Sequence, residues 1–489
     1  MTAMLATTEL LSSGQVVPWL IDGRWEAPSD AATIDVTNPA TCQAVGRIAY
    51  GEAADATRAA DAASAAFDSW AERSAGQRAD ILQRAADILA GRAAAIGDLL
   101  SAETGKRRSE AAGEVNFSAS YLRWFAAQAR QAHGEVLSPE DPARRHLTLT
   151  RPVGVVASVT PWNFPVSIQA RKIAPALAAG CTVVARASEK APLAVAELFR
   201  ALQDAGLPDG VANLVQGPAA ACTDALIAHR AVRMVTFTGS TPVGSRLMAA
   251  ASKRIVRCAL ELGGDAPFII FADADIDAAV SGLMTAKFRN NGQSCIGANR
   301  VLVERPIFDE VISRLAAATS AMAVGDPAGA AEPDLGPLID ASRVRAVGEL
   351  VDEAVSGGAH WLGESPQMPS GPCYSRPGFI MGAPDGSGLA TTEVFGPVSG
   401  VFAFDGEDEA LAIANGTEMG LAGYFYTRDV SRVWRMSERL EVGIVGVNHP
   451  LPSVAFAPMG GVKQSGLGRE GARQGLEEFL DTRYVSLGL

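Results

Sequence analysis

At 489 residues this chain is too long for one hydrophobic core, so two or three domains are expected. Apolar residues make up 48% and charged residues 20%, and 54 acidic against 42 basic side chains leave a net charge of −12, which argues against nucleic acid or an anionic membrane surface as the main partner. Cys42, Cys181, Cys222, Cys258, Cys295 and Cys373 form no CxxC motif and the five histidines are scattered, so neither a disulfide framework, a metal site nor a histidine-based triad is expected.

Residues 19–25 read as a short hairpin around Asp22-Gly23. Helical spacing follows over 53–70, 77–96 and 109–130, in alanine-rich sequence whose plain reading is helix packing. Residues 145–151 alternate as a strand does, and so does the last segment, 482–488. Two such edges suggest oligomerisation by sheet extension, with harmless edge strands as the other reading. From 153 to 271, strands at 153–159, 182–185, 212–215, 234–237, 259–262 and 268–270 alternate with helices at 166–179, 193–205, 221–229 and 243–252. That alternation means a parallel, doubly wound α/β sheet. A second α/β segment runs from about 272 to 463, with helices at 308–321 and 342–356 and strands at 398–404 and 443–447. No leader with a basic start and an apolar core is visible, and no run reaches the roughly 18–20 apolar residues of a membrane span, so a cytoplasmic location is expected.

Five stretches can carry chemistry. Cys295 lies in Phe288-Arg-Asn-Asn-Gly-Gln-Ser-Cys, a tight polar turn before the apolar run 301–303. A thiol there is an exposed nucleophile that needs a base, or a small buried hydrophobe. Glu261 ends the apolar strand 259–262, where desolvation makes a carboxylate a usable general base; a surface glutamate is the alternative. Thr160-Pro161-Trp162-Asn163-Phe-Pro locks a turn in which the Asn163 amide can stabilise an oxyanion, or simply serve the turn. Phe237-Thr-Gly239-Ser240-Thr241-Pro-Val-Gly244 passes from strand to helix, as a phosphate cradle or an ordinary N-cap. Arg186-Ala-Ser188-Glu189 sits at a strand end, where ligands of open sheets bind; a solvated ion pair is its plain reading.

Taken in order with Glu393-Val-Phe395-Gly-Pro and Gly460-Gly-Val-Lys-Gln-Ser-Gly, these motifs resemble the aldehyde dehydrogenase superfamily over essentially the whole chain. Within it they are most similar to NAD(P)-dependent succinate-semialdehyde dehydrogenases. The resemblance implies a doubly wound dinucleotide-binding domain (1–133 and 152–264), an α/β catalytic domain (265–463), and an arm with a C-terminal strand (134–151 and 464–489). It implies Cys295 as nucleophile, Glu261 as base for the deacylating water, Asn163 and the Cys295 backbone N–H as oxyanion hole, and Lys172 beside them. Thr160, Pro161, Trp162, Arg186, Ser188, Glu189, Gly217, Phe237, Gly239, Ser240, Thr241, Gly244, Leu262, Glu393 and Phe395 would hold the cofactor. Arg171, Arg289 and Ser453 match positions that grip a substrate carboxylate, or else serve structural ion pairs.

The expected activity is therefore oxidation of a small-molecule aldehyde to an acid, on a semialdehyde such as succinate semialdehyde, with an aromatic, oxo-bearing or uncharged aldehyde as the alternative and an idle binding protein as the remote one. A homodimer or homotetramer is implied. Several positions depart from the family. Arg186 stands where a lysine is usual and Ala187 where proline is. Glu189 favours NAD over NADP, since a 2′-phosphate would meet its charge. Gly297 stands where some relatives carry a second cysteine, which removes an active-site disulfide switch.

Overall fold

Strands that are apolar on both faces need cover on both faces, and the alternating region supplies it. The computed structural model describes residues 14–27, 32–384 and 386–489. Arg257–Glu261, Val232–Thr238, Val155–Val159, Thr182–Arg186 and Ala212–Val215 lie side by side in that order as parallel strands of an eight-stranded sheet. The Pro165–Ala179 helix on this sheet is buried at every position. The expected hairpin is Trp19–Ile21 with Arg24–Glu26, turned by Asp22 and Gly23 at positive φ, and it extends the far edge through Leu20 opposite Leu214.

The second α/β segment forms a seven-stranded sheet. Gly378–Met381, Val398–Phe404, Ala298–Glu304, Ala266–Ile270, Ala422–Tyr426 and Ile444–Val447 run parallel in that order, with His360–Trp361 antiparallel at one edge. Cys295 stands just before its Ala298–Glu304 strand, and Glu261 ends a strand of the other sheet. The site therefore lies where the two sheets meet.

Three expectations change in detail. The helical stretch 77–96 is two helices, Ala75–Gly91 and Ala93–Thr104, because Arg92 leaves helical geometry after Gly91 while the apolar spacing runs on. The two exposed strands, 145–151 and 482–488, pair with each other: Leu480–Gly488 lies antiparallel to Arg144–Pro152 over nine residues, with Val136–Leu137 on its other side. Before reaching that arm, the chain beyond 463 adds Gly466–Leu467 to the eight-stranded sheet beside Arg257–Glu261.

Buried carboxylates fix the helices that carry the site. Glu114 accepts from the Val166 and Ser167 N–H groups (3.0 and 3.2 Å), satisfying the start of the Pro165–Ala179 helix. Lys106 pairs with Glu114 and donates to the Asn163 carbonyl at 2.8 Å. Both side chains are almost fully buried. Glu103 does the same for the Leu193–Asp204 helix through Leu193 and Ala194, and burial pushes its carboxyl up to about 8. Removing one partner of a buried pair leaves an uncompensated charge, so Lys106→Met is expected to cost about 3–5 kcal/mol in denaturant unfolding. A loss below about 1 kcal/mol would show that the helix N–H groups alone satisfy Glu114.

Candidate active site

The Cys295 thiol donates to Glu261 Oε1 at 3.2 Å. Glu261 is 2% exposed. Its other oxygen accepts from Thr238 Oγ1 at 3.1 Å and is paired with the Arg171 guanidinium. Arg171 also reaches Glu470 Oε2 at 2.5 Å, and Glu470 is paired in turn with Lys172, which donates to Thr236 Oγ1 at 3.2 Å. Two cations and two carboxylates thus form one buried cluster behind the thiol. Burial pushes the Cys295 thiol well above its ordinary value, the Glu261 charge pushes it further, and Arg171 offsets only part of this. Burial alone would raise the Glu470 carboxyl, but Lys172 and Arg171 outweigh it and hold the group below the usual carboxylate range.

The loop presenting Cys295 is strained. Asn290, Asn291 and Gly292 all have positive φ (51°, 58° and 77°), a run that persists only where surroundings impose it. Asn291 donates to the Gly105 and Pro337 carbonyls (2.9 and 2.8 Å) and accepts from Gly336 N–H at 2.8 Å. Gln293 Oε1 accepts from Ile339 N–H at 2.9 Å. A side chain on Gly264 would place its Cβ 2.2 Å from the Cys295 carbonyl, so glycine is needed for the loop to reach the strand end. Asn163 Nδ2 donates to the Gln293 carbonyl at 3.2 Å, which uses one of its two N–H bonds; its Oδ1 is buried without a partner.

The residues expected to hold the cofactor gather at the C-terminal ends of the parallel strands. Thr160 N–H donates to the Arg186 carbonyl at 3.1 Å. Arg186 is 4% exposed; it donates to the Gly217 carbonyl at 2.8 Å and pairs with Glu189 at 2.5 Å. Burial would raise the Glu189 carboxyl, but the Arg186 cation outweighs it and lowers it. Ser188 Oγ accepts from Lys190 N–H at 3.3 Å. Ser240 is the N-cap of the Thr241–Ser252 helix, yet its side chain makes no capping bond, so the ordinary N-cap reading fails there. The Thr241 hydroxyl donates to Gln464 O at 3.2 Å. Phe237 lies beneath Gly239, and Gly244 brings the helix onto Leu262: a Cβ on it would sit 2.4 Å from that side chain. An uncapped helix start with free N–H groups fits a pyrophosphate. On the catalytic side Glu393 accepts from Gly264 N–H at 3.1 Å, and burial pushes its carboxyl up to about 7. Phe395 meets Trp162 edge-on at 5.5 Å, next to Pro161.

Of the expected anion grip, Arg171 is engaged by Glu261 and Glu470. Arg289 lies over the Phe164 ring at 4.9 Å and lines a cavity of about 590 Å³ with Arg107, Glu110, Phe288 and Leu451. Ser453 Oγ is 3.4 Å from Met459 Sδ. Between Arg171 and Ser453 stands Tyr121, fully buried, with its hydroxyl against the Arg171 guanidinium and the Ser453 side chain. Sequence reasoning missed Tyr121, Glu470, Lys106 and Glu114. Each is an ordinary helix or loop residue by local pattern, and Glu470 meets Lys172 across 298 positions.

A partly buried thiol held by a carboxylate, at the junction of a dinucleotide-type sheet and a second α/β sheet, defines an NAD(P)-dependent oxidoreductase that works through cysteine. More narrowly, the chain belongs to the aldehyde dehydrogenase family: residues 25–485 match it. It is 44% identical to a mitochondrial succinate-semialdehyde dehydrogenase of Arabidopsis thaliana, over 100% of this chain and 92% of that protein. It is 43% identical to a 3-sulfolactaldehyde dehydrogenase of Pseudomonas putida, over 96% of each. The solved succinate-semialdehyde dehydrogenase of Burkholderia pseudomallei superposes with a TM-score of 0.95 at 39% identity, over 98% of this chain and 99% of that one.

Because Cys295 rests as a buried thiol, its alkylation by iodoacetamide should be slow at neutral pH and climb as pH rises. Glu261→Gln removes a charge that raises the thiol and leaves Arg171 to lower it, so the rate profile should move to lower pH while aldehyde turnover collapses. A profile at the same or higher pH would refute the electrostatic account.

Proposed function

We propose that this aldehyde dehydrogenase oxidises an aldehyde whose far end carries an anion, a carboxylate in the first place, using NAD. The observation that supports the reading is the cluster of Arg171, Tyr121 and Ser453 near Cys295, a guanidinium with two hydroxyls, while Arg289 lines a cavity of about 590 Å³ with Leu451. An oxyanion there would meet a cation and two hydroxyl donors, the charge-assisted pairing that a buried carboxylate needs. The relatives fit the same chemistry, since succinate semialdehyde and 3-sulfolactaldehyde both end in an anion.

Glu261 takes the Cys295 proton across the existing contact, and the thiolate adds to the aldehyde carbon. The oxyanion formed faces the second Asn163 N–H and the Cys295 backbone N–H. When bound, NAD supplies the acceptor for the hydride that leaves this carbon, giving a thioester. Once Glu261 has released that proton to solvent, it accepts one from the water that attacks the thioester; the C–S bond breaks, Cys295 leaves as the thiolate and takes the proton back from Glu261, and the acid departs. Glu470, beside Glu261 and paired with Lys172 and Arg171, adds a second negative charge to the cluster that holds Glu261. The Thr241–Ser252 helix start would hold the pyrophosphate, Arg186 and Glu189 the ribose, and Glu393 with Phe395 the nicotinamide end. Ionised Glu189 disfavours a 2′-phosphate.

The test is NADH and NADPH formation over succinate semialdehyde, glutarate semialdehyde, benzaldehyde and propanal. A semialdehyde with NAD should have the highest kcat/KM. Arg289→Ala should lower it by about tenfold to a hundredfold while sparing propanal, and Glu189→Gln should raise NADPH formation. An uncharged aldehyde in first place, with Arg289→Ala like the unaltered enzyme, would sink the anion reading and leave the dehydrogenase intact.

Cytoplasmic location and a homodimer or homotetramer belong to the same proposal. No described helix is long and apolar enough to cross a membrane. Val136, Leu149, Tyr484 and Leu487 are exposed on the three-stranded arm, which leaves apolar surface for a second copy to cover. Light scattering should give a mass of two or four chains; a single-chain mass would refute this.

A further inference from the structure

Two of the side chains expected to grip a substrate anion converge on one thioether. Met459 is 3% exposed and directly precedes Gly460-Gly-Val-Lys. Its backbone is locked to that of Glu470: Met459 N–H donates to the Glu470 carbonyl and Glu470 N–H to the Met459 carbonyl, both at 2.7 Å. The side chain therefore starts from a fixed point beside the buried charge cluster. The Arg171 guanidinium divides its nitrogens among three neighbours. Nη2 faces Glu261, Nε lies 2.5 Å from Glu470 Oε2, and Nη1 donates to the Met459 sulfur. The Ser453 hydroxyl donates to the same sulfur at 3.4 Å.

Met459 also packs in the core of the second sheet, and a core methionine needs no partner for its sulfur. Met419 shows that plain arrangement. The Thr241 and Ser465 hydroxyls stand 3.9 and 3.8 Å from its sulfur, but each has a closer carbonyl, Gln464 O at 3.2 Å and Gly263 O at 2.6 Å. At Met459 one of the donors is a buried cation. Sulfur is a weak acceptor, so a guanidinium N–H that faces it recovers little of the cost of leaving water. A carboxylate in the same place recovers far more, through charge-assisted bonds to the guanidinium. The methionine stem is unbranched and flexible, so the sulfur can turn aside while the backbone stays bridged to Glu470.

We propose, resting on the anionic-aldehyde reading, that Met459 is a specificity-determining residue: its sulfur takes the Arg171 and Ser453 donors in the free enzyme and yields them to the far-end carboxylate of the substrate. The preference for an anionic tail is then set by how strong the resting acceptor at position 459 is. A weaker acceptor leaves the carboxylate more to gain on binding, and a stronger one leaves it less. An uncharged tail makes no such exchange, so its turnover is insensitive to the acceptor.

The test compares NADH formation from succinate semialdehyde and from butanal, which carries a methyl group in place of the carboxylate, in the unaltered enzyme, in Met459→Leu and in Met459→Gln. Both replacements are close to methionine in volume, and the bridge to Glu470 is made by the backbone, so each side chain starts from the same point. Leucine offers no acceptor, and the glutamine amide oxygen is a stronger acceptor than sulfur. The readout is the ratio of kcat/KM for succinate semialdehyde to kcat/KM for butanal, which a general loss of packing does not move. Met459→Leu should raise this ratio and Met459→Gln should lower it, each by about twofold to tenfold. Anything other than opposite shifts in the two variants would overturn the role of Met459 and leave the anionic-aldehyde reading standing. Parity of the two aldehydes in the unaltered enzyme would overturn that reading and the role of Met459 with it.

Discussion

The contact on which the site depends is the one between the Cys295 thiol and Glu261, backed by Arg171. A buried thiol on its own is inert, because burial favours the protonated form; a buried carboxylate on its own is costly. Placed together, with a guanidinium on the far oxygen, the carboxylate is retained in an apolar sheet junction and the thiol has an acceptor for its proton. The charge that makes Glu261 a base also raises the thiol, so attack and resting inertness are set by one group. Reactivity is then governed by how the cluster of Arg171, Glu470 and Lys172 redistributes charge when substrate arrives.

That arrangement gives Arg171 two claims on it. It neutralises the carboxylates behind the nucleophile, and it is the cation set against the Tyr121 hydroxyl. An anionic substrate tail would compete with Glu261 for the same guanidinium. Drawing Arg171 toward the tail would weaken its hold on Glu261 when the base is needed. Binding energy from the non-reacting end of a substrate is thereby available to the reacting end, which is how remote groups raise turnover and not only affinity.

The fold was legible in the sequence because its elements are locally consistent. Strands at 182–185 and 212–215 differ from Thr182–Arg186 and Ala212–Val215 by at most one residue, since an apolar run bounded by turn residues leaves few options. The split at Arg92 was not legible, because helical spacing continues through it. The arm was half legible: alternation showed two strands, but nothing local shows that 144–152 and 480–488 pair with each other. The site divides in the same way. Cys295, Glu261 and Asn163 sit in turns whose composition is unusual by itself. Tyr121, Glu470 and Lys106 gain their significance only from partners far along the chain.

The strained Asn290–Gly292 run shows why such partners matter. Two successive positive φ angles at Asn290 and Asn291 are expensive, and the chain carries them because Asn291 and Gln293 are held by backbone groups of 105 and 336–339. The position of the nucleophile is therefore set less by its own loop than by a segment some 45 residues later, as the separations of 45 and 46 positions in those bonds show. A loop fixed from outside can be adjusted from outside. Whatever moves 336–340 reaches the Cys295 loop through three bonds made by the Asn291 and Gln293 side chains to backbone groups, and burial of both side chains leaves them little room to absorb the shift.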